Sequence, residues 1–203
     1  MIVSLALMLL GGAAAAPQSA AVVAPSGADI AECVVDNDKG DVRALLGAVP
    51  GSPAETRATQ KVLTFYGGCN DNKQAQGVFA WQERAQIAEA ALSGLIGGKT
   101  PDVTTAAGQA GWALALPSGA NPAVDYDAVK VGMRMLGDCI VRANPQGALA
   151  LVRTDRGSAA EAAATGGLSG NLAACLPAGQ KLTLKRQDLR LVVAEPLYQM
   201  LSR

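Results

Sequence analysis

The most regular pattern of apolar and polar positions lies towards the middle of the chain, from Glu83 to Ile96. Apolar residues recur there three and four positions apart, at Ile87, Ala88, Ala91, Leu92 and Leu95. This spacing predicts a helix with one buried face. A second closing helix is predicted from Arg186 to Leu201, where Pro196 is expected to remove a backbone hydrogen bond and kink the helix.

Shorter apolar runs precede both of these helices. They predict helices over residues 29–35, 42–48, 127–141 and 148–152, with turns at 38–40 and 144–147. Asp127 is the expected N-cap of its helix. Residues 78–81 and 181–184 cluster or alternate like brief extended segments.

Two serine and glutamate pairs mark further helix starts. Ser52-x-x-Glu55 and Ser158-x-x-Glu161 have the spacing of a capping box. In that motif the serine side chain accepts a hydrogen bond from the third helical amide, and the glutamate bonds back to the amide of the serine. Each predicted helix runs towards a cysteine.

The same pattern occurs twice, 106 residues apart. At this offset Cys33 falls on Cys139 and Cys69 falls on Cys175, and about a quarter of residues 33–95 are identical to residues 139–201 without a gap. Repetition at a fixed spacing indicates a duplicated structural unit. We therefore predict an all-α fold of two tandem pseudo-symmetric helical repeats, each stapled by one disulfide, whose backbones superpose.

The predicted organisation has five parts. They are a signal peptide (1–16), a flexible N-terminal segment (17–28), helical repeat 1 (29–97), a linker (98–123) and helical repeat 2 (124–203). The linker is rich in Gly, Pro, Ser, Thr and Ala, and we expect it to dock in part through Trp112.

The N-terminal residues match a secretory leader. The apolar run 2–10 is followed by small residues at 13–16, as in an h-region and its cleavage site. The run is shorter than the roughly 20 apolar residues that a membrane-spanning helix needs. A periplasmic or secreted protein is therefore expected.

Secretion accounts for the cysteines. The chain has four, in two equivalent pairs, which suits two structural disulfides in an oxidising compartment. Three connectivities are possible, and all three respect the repetition. We expect Cys33–Cys69 and Cys139–Cys175, because each repeat can then fold as a unit.

The net charge is zero but unevenly distributed. Residues 29–97 hold nine acidic and six basic residues, whereas residues 125–203 hold seven acidic and ten basic residues. We expect the two halves to attract each other, or molecules to self-associate head to tail. Neither half is basic enough for a nucleic-acid binder, and seven aromatic residues offer little surface for stacking bases.

Histidine is absent, which excludes Ser-His-Asp and Cys-His catalysis and histidine-ligated metals. No cofactor or metal is predicted. The best candidate site residues are duplicated on the two closing helices: Arg84, Glu89, Arg190 and Glu195.

Two interpretations of these four residues stay open. In the first, each side chain binds a neighbouring helix end or another part of its own repeat, since an Arg and a Glu five residues apart on one helix are poorly placed to pair. In the second, they line a polar groove in which Glu89 faces Glu195, a carboxylate pair that could act as acid and base as in glycosidases. Glu32 and Asp138, which precede equivalent cysteines, are expected to be solvated or capping residues.

The second repeat also carries a set of motifs with a family resemblance. These are Cys139-Ile140-Val141, Gly157-Ser158-x-x-Glu161, Cys175 and Leu189-Arg190-x-x-x-Ala194-Glu195-x-Leu197-Tyr198. They resemble a family of small, functionally uncharacterised secreted bacterial proteins with duplicated cysteine-bounded helical repeats. The first repeat lacks the Leu-Tyr portion. The resemblance implies a fold and a compartment, and it carries no activity.

These features favour a non-enzymatic periplasmic or secreted protein that acts by binding or assembly, with a protein as its partner and no transmembrane segment in the mature chain. The alternatives are a small hydrolase with paired carboxylates and a carrier of an apolar ligand, the latter suggested by a chain that is 50% hydrophobic. Converging Glu89 and Glu195 would favour the hydrolase, a deep apolar pocket the carrier, and an exposed apolar patch a protein partner.

Overall fold

A computed structural model describes residues 26–69, 81–177 and 184–203, together with residues 179 and 182. The predicted leader and residues 78–80, 181 and 183 lie outside the described residues. All regular structure within these ranges is helical, which confirms the all-α prediction. The helices are α1 (Gly27–Asn37), α2 (Lys39–Gly47), α3 (Pro53–Cys69), α4 (Trp81–Ile96), α5 (Val103–Gly108), α6 (Pro122–Asp125), α7 (Ala128–Ala143), α8 (Pro145–Val152), α9 (Ala159–Cys175) and α10 (Arg186–Leu201).

Short polar side chains set the helix starts. Asp127 caps α7, as predicted. Asp38 ends α1 and also caps α2, and Asn144 does the same between α7 and α8. The two predicted turns are therefore too long: residues 39–40 and 145–147 are already helical, because one capping residue is enough to redirect the chain.

Both predicted capping serines are confirmed, but their glutamates bond elsewhere. The Ser52 side chain accepts from the amide of Glu55 at 3.2 Å, while the Glu55 carboxylate accepts from the amide of Gly51 at 2.6 Å rather than from that of Ser52. Gly51 has a φ of 83°, a conformation that side chains disfavour. The second copy repeats the pattern with Ser158, Glu161 and Gly157, at 3.0 and 2.8 Å.

Replacing Ser158 by Ala should lower the free energy of unfolding by about 1 kcal/mol, because the first turn of α9 loses its side-chain cap. Chemical denaturation measures the change. The matched control is Ser169→Ala in the same helix, where the exposed side chain bonds only to the carbonyl of Gly166. Alanine is favoured at that interior position, so the control should not lose stability. Equal effects of the two variants would contradict the cap assignment.

The described helices form two halves that meet along α4 and α10. In half 1, α1 packs against α3 and α4, and α2 packs against α3. In half 2, α7 packs against α9 and α10, and α8 packs against the same two helices. Helices α4 and α10 lie against each other, so each closing helix is covered by its own half and by its counterpart.

The core contains residues from equivalent positions of the two halves. Ten apolar residues with no exposed surface form five pairs 106 residues apart: Val34 and Ile140, Leu45 and Leu151, Val62 and Leu168, Ile87 and Val193, Ala88 and Ala194. The duplicated sequence pattern thus selects the same buried positions twice. That the two backbones superpose over their full length stays a prediction.

The disulfide prediction is confirmed. Cys33 bonds Cys69, which ties α1 to the end of α3, and Cys139 bonds Cys175, which ties α7 to the end of α9. The Cα atoms are 5.8 Å apart in both bridges, within the ordinary range for a disulfide.

The sequence prediction for Trp81 is also wrong. Trp81, expected in an extended segment, is the first residue of α4, because the amphipathic pattern of the closing helix begins two residues earlier than predicted. Leu182 and Leu184, from the corresponding segment of half 2, lie in no strand. The predicted linker contains α5 and the start of α6, which extends to Asp125 in the predicted repeat 2, and Trp112 is buried within the linker.

Helix α10 runs from Arg186 to Leu201 without a break at Pro196. Proline has no N–H to give to the carbonyl of Val192, four residues earlier. Gly137 of α7 packs directly over that carbonyl, and a Cβ atom added to Gly137 would lie 2.1 Å from the Val192 oxygen and 2.9 Å from Cγ of Pro196. Glycine is therefore required where α7 crosses α10.

Replacing Gly137 by Ala should cost about 1–3 kcal/mol of unfolding free energy, because the added methyl group forces α7 and α10 apart. Gly132→Ala, in the same helix, is the control. Its added Cβ meets nothing within 4 Å, so it should be neutral or stabilise by up to about 1 kcal/mol. Thermal melts of both variants check the contrast, and a Gly137→Ala variant as stable as the native chain would show that the helices do not cross this closely.

Candidate functional site

The four duplicated polar residues lie in the core. Arg84, Glu89, Arg190 and Glu195 are each between 2% and 6% exposed, although charged side chains are almost never this buried unless they are paired. Each of the four is paired with a side chain of opposite charge.

Arg84 of α4 joins three elements. Its Nε and Nη2 donate to the two carboxylate oxygens of Glu195 at 2.9 and 2.7 Å, and its Nη1 donates to Glu55 at 2.9 Å. Nη2 also donates to the carbonyls of Leu46 and Ala48, at the C-terminal end of α2. A cation stabilises the negative end of a helix dipole, so this arginine also caps α2.

Arg190 makes the corresponding contacts 106 residues later. Its Nε donates to Glu89, and its Nη1 lies 3.7 Å from Glu161. Its two terminal nitrogens donate to the last two carbonyls of α8, those of Leu151 and Val152, and to the carbonyl of Thr154, two residues beyond the helix. Both arginines therefore close the second helix of their own half and bind the glutamate of the other half.

The result is a reciprocal exchange across the α4–α10 interface. Arg84 of half 1 binds Glu195 of half 2, and Arg190 of half 2 binds Glu89 of half 1. The arginine and glutamate of one helix do not pair with each other, as their spacing predicted. Each glutamate instead finds an arginine partner in the opposite half, a contact that neither interpretation of the sequence included.

Each glutamate also has a second basic partner. Glu195 accepts from Nη1 of Arg134 at 2.7 Å, and Glu89 accepts from the half-exposed Arg156. Burial alone would raise the pKa of Glu195, but Arg84 and Arg134 outweigh it and hold the pKa below its ordinary value. Glu195 is therefore an ionised carboxylate, not a proton donor near neutral pH.

Arg134 extends this cluster to the segment between the halves. Its Nε donates to Asp138, one turn later on α7, at 2.8 Å, and its Nη2 donates to the carbonyl of Trp112 at 3.1 Å. Asp138 accepts from the amide of Leu114 at 2.7 Å. Burial raises the pKa of Asp138, even though Arg134 and the amide act to lower it.

We expected Asp138 to be solvated or a capping residue, but it is buried in the cluster, whereas its counterpart Glu32 is exposed. The difference in burial is explained by the residue four positions earlier in each helix. Asp138 has Arg134 at that position, and Glu32 has Ala28. A signal for the buried pair was present in the sequence, since an arginine and an aspartate four apart lie on one helix face.

Glu55 and Glu161 were also missed as members of the cluster. Their serine partners marked them as capping residues, which they are, but one carboxylate oxygen of each faces the arginine of its half. Lys130 reaches Glu55 at 3.4 Å and adds another contact between the halves. Acidic side chains of half 1 thus pair with basic side chains of half 2 inside the molecule.

The space left within the cluster is small. A cavity of about 20 Å³ is lined by Arg84, Lys130, Arg134 and Glu195, together with apolar neighbours that include Trp81 and Met133. That volume is sufficient for roughly one water molecule. It leaves no room for a sugar or another organic substrate.

A larger concave surface lies on half 1. We call it the half-1 groove; its volume is about 410 Å³, and its lining comes from α1, α2 and α4 with Tyr198 of α10. The apolar floor includes Val35, Val42, Ala91 and Leu95, and the charged rim is formed by Glu32, Asp36, Lys39 and Arg43. Leu95, one of the lining residues, is 39% exposed.

Within the described ranges, no cluster of three or more acidic or cysteine side chains is placed to bind a metal ion. No helix in this part of the chain has the length and apolar character needed to cross a membrane. Comparison with known proteins finds no matching family model, curated protein or solved structure.

Proposed function

We propose that the protein is a non-enzymatic binding protein of an oxidising compartment, periplasmic or secreted, with a protein as its partner. The observation that carries the proposal is the role of the duplicated polar residues. Every carboxylate oxygen of Glu89 and Glu195 accepts a hydrogen bond from an arginine. Residues that hold the two halves together in this way have no oxygen left to act on a substrate.

The contacts disfavour the hydrolase alternative. Carboxylate chemistry of the glycosidase type needs one acid with a raised pKa and room for a sugar and a water between the two groups. The pKa of Glu195 is lowered, and the cavity beside it has space for about one water. The lowered pKa makes Glu195 unsuitable as the proton donor, and the small cavity beside it leaves no room for a sugar.

The half-1 groove supports a binding role. It offers an apolar floor with a charged rim, the composition expected of a surface that recognises a polypeptide. The carrier alternative would use the same groove, but four charged side chains of both signs at its rim suit a peptide better than an apolar small molecule. The two disulfides support an oxidising compartment.

Affinity capture tests the binding role. The oxidised protein is immobilised and exposed to periplasmic and secreted proteins of the producing organism, beside the same protein after reduction and alkylation. We expect at least one protein to be retained by the oxidised form and released by an excess of free oxidised protein. Retention of a second copy of this chain would assign the partner to self-association.

Two outcomes would contradict the proposal. One is the absence of any protein retained by the oxidised form above the reduced control. The other is turnover of a glycoside panel that disappears in Glu195→Gln while the variant keeps its helical circular dichroism. The second outcome would restore the hydrolase alternative.

A further inference from the structure

Two equivalent surfaces of the two halves differ in how they are covered. On half 2, the surface formed by α7, α8 and α10 is covered by α5. We call residues 103–114, which comprise α5 and the chain up to Leu114, the interlobe segment. Its anchors are Val103, with no exposed surface, and Trp112, which is 2% exposed.

Polar contacts fix the interlobe segment in place. Asp138 of α7 accepts from the amide of Leu114, and the Arg142 guanidinium lies 5.5 Å from the centre of the Trp112 ring. A cation at this distance is attracted to the face of an indole. On α8, the side chain of Gln146 donates to Thr104 at 3.2 Å.

On half 1, the corresponding surface is the half-1 groove. Residues 106 positions before Asp138 and Arg142 are Glu32 and Asp36, and both line it. The helices that form the groove, α1, α2 and α4, correspond to α7, α8 and α10. No residue between 97 and 127 contributes to its lining, so the interlobe segment covers only the half-2 surface.

Exposure of the floor residues follows from this difference. Val35 is half-buried, whereas its counterpart Val141 has no exposed surface. Gly94 is exposed, whereas its counterpart Met200 is 4% exposed. The half-1 groove thus presents an apolar floor of the kind that, on half 2, binds a helical segment.

The charges define what would fit. Where half 2 places Arg142 over an aromatic ring, half 1 has Asp36. Asp138 is neutralised by Arg134, but Glu32 has Ala28 at the corresponding position and no ion pair within the described residues. The α1 side of the groove is therefore acidic. Glu32, the counterpart of the carboxylate that accepts from the Leu114 amide in half 2, has no neighbouring arginine on its helix to balance its charge.

The geometry points to the half-1 groove as the docking site for a helical segment of a partner protein. This segment has an apolar face, and it carries a basic side chain at the position that corresponds to Trp112 of the interlobe segment. The inference rests on the proposed function and specifies its partner. The partner's apolar face packs on the floor residues, and its basic group pairs with Asp36 and Glu32. A second copy of this chain is a poorer occupant, because its own interlobe segment is buried against half 2.

Two synthetic peptides serve as probes. Both have the sequence of residues 101–115, one with Trp112→Arg and the other with Trp112→Glu. We expect the arginine peptide to shift the amide NMR signals of Ala90, Ala91, Gly94 and Leu95 in the isotope-labelled oxidised protein. The glutamate peptide should bind at least about tenfold more weakly, because its carboxylate faces Asp36 and Glu32.

A pair of protein variants locates the binding. Leu95→Asp places a charge on the groove floor, and Leu182→Asp is the matched control, since both leucines are 39% exposed and Leu182 lies outside the groove. Leu95→Asp should lose the arginine peptide, whereas Leu182→Asp should bind it like the native chain. Melting temperatures of both variants show that each remains folded.

Any of three results would overturn this inference: no binding of the arginine peptide at millimolar concentration, equal binding of the two peptides, or unchanged binding by Leu95→Asp. The affinity capture keeps the two proposals separate. A partner retained equally by the native chain and by Leu95→Asp leaves the binding function standing and removes the groove as its site. A partner lost only in Leu95→Asp supports both.

Discussion

Replacing Glu195 by Ala is expected to lower the free energy of unfolding by about 3 to 5 kcal/mol, because the change leaves two buried arginines short of their shared carboxylate. Arg84 and Arg134 are 2% and 6% exposed, so water cannot take the place of the missing oxygens. Arg84 keeps Glu55 and Arg134 keeps Asp138, which places the expected loss at the lower end of that range. Urea denaturation of the oxidised protein gives the value.

A surface pair provides the control. Lys61 lies 3.4 Å from Asp41, and its side chain is 67% exposed. Lys61→Ala should cost about 0 to 1 kcal/mol, since exposed ion pairs contribute little. If Glu195→Ala costs no more than this control, the buried exchange between the halves does not hold them together.

A double variant separates the pair from its surroundings. Arg84→Met combined with Glu195→Leu removes both charges and fills the space with apolar atoms. The loss of unfolding free energy in the double variant should be smaller than the sum of the losses in Arg84→Met and Glu195→Leu alone. Each single variant leaves the other residue of the pair without its partner charge, whereas the double variant removes both charges. Additive effects would indicate that the two residues act independently.

The pH dependence of stability should change in Glu195→Ala as well. The folded-state pKa of Glu195 is lowered, so its contribution to stability is present above the pKa of the unfolded chain, near 4.5, and is lost as the pH falls through the folded value. Asp138 acts in the opposite direction, because its raised pKa favours the folded state at low pH. The native chain should therefore lose more stability than Glu195→Ala on acidification below about pH 4.

Local patterns in the sequence were sufficient for much of the fold. The closing helix of half 2, the capping serines and the cap at Asp127 depend on residues three or four positions apart. Equal spacing of the cysteines left three connectivities open, and the expectation that each repeat folds as a unit selected the observed bridges. These features need no knowledge of where a distant segment lies.

The charged cluster depends on contacts that spacing does not encode. Arg84 and Glu195 are 111 residues apart in sequence, and Arg190 and Glu89 are 101 apart. Duplication identified all four residues, but it suggested a contact within each repeat. The exchange between repeats arises because α4 and α10 pack against each other. This packing brings each arginine within reach of the glutamate on the opposite helix, whereas the glutamate five residues away on its own helix points in a different direction.

The half-1 groove was not predictable for a related reason. The sequence showed that Glu32 corresponds to Asp138 and that Trp112 stands between the repeats, but not which half the interlobe segment covers. Arg134 holds the interlobe segment against half 2, because it donates both to Asp138 and to the carbonyl of Trp112. Ala28 at the corresponding position offers no such donor, so half 1 cannot hold the segment in the same way.

Removal of the disulfides should have the second large effect. Cys33→Ser with Cys69→Ser, and Cys139→Ser with Cys175→Ser, each open a loop of 36 residues. On the chain-entropy model each bridge stabilises the fold by about 3 to 4 kcal/mol, by restricting the unfolded chain. Because the loops are equal in length, the two variants should lose equal stability through this effect.

Any difference between the two variants then reports on the folded state. Half 2 has an additional anchor on α7, since the interlobe segment binds Asp138 next to Cys139. Half 1 lacks it, so α1 depends more on its bridge to α3. We therefore expect the Cys33 and Cys69 variant to show the greater loss of amide protection in α1, measured by hydrogen exchange, than the Cys139 and Cys175 variant shows in α7. Equal protection in the two helices would mean that the interlobe segment adds nothing to the stability of half 2, and that the two halves differ only in which surface is open.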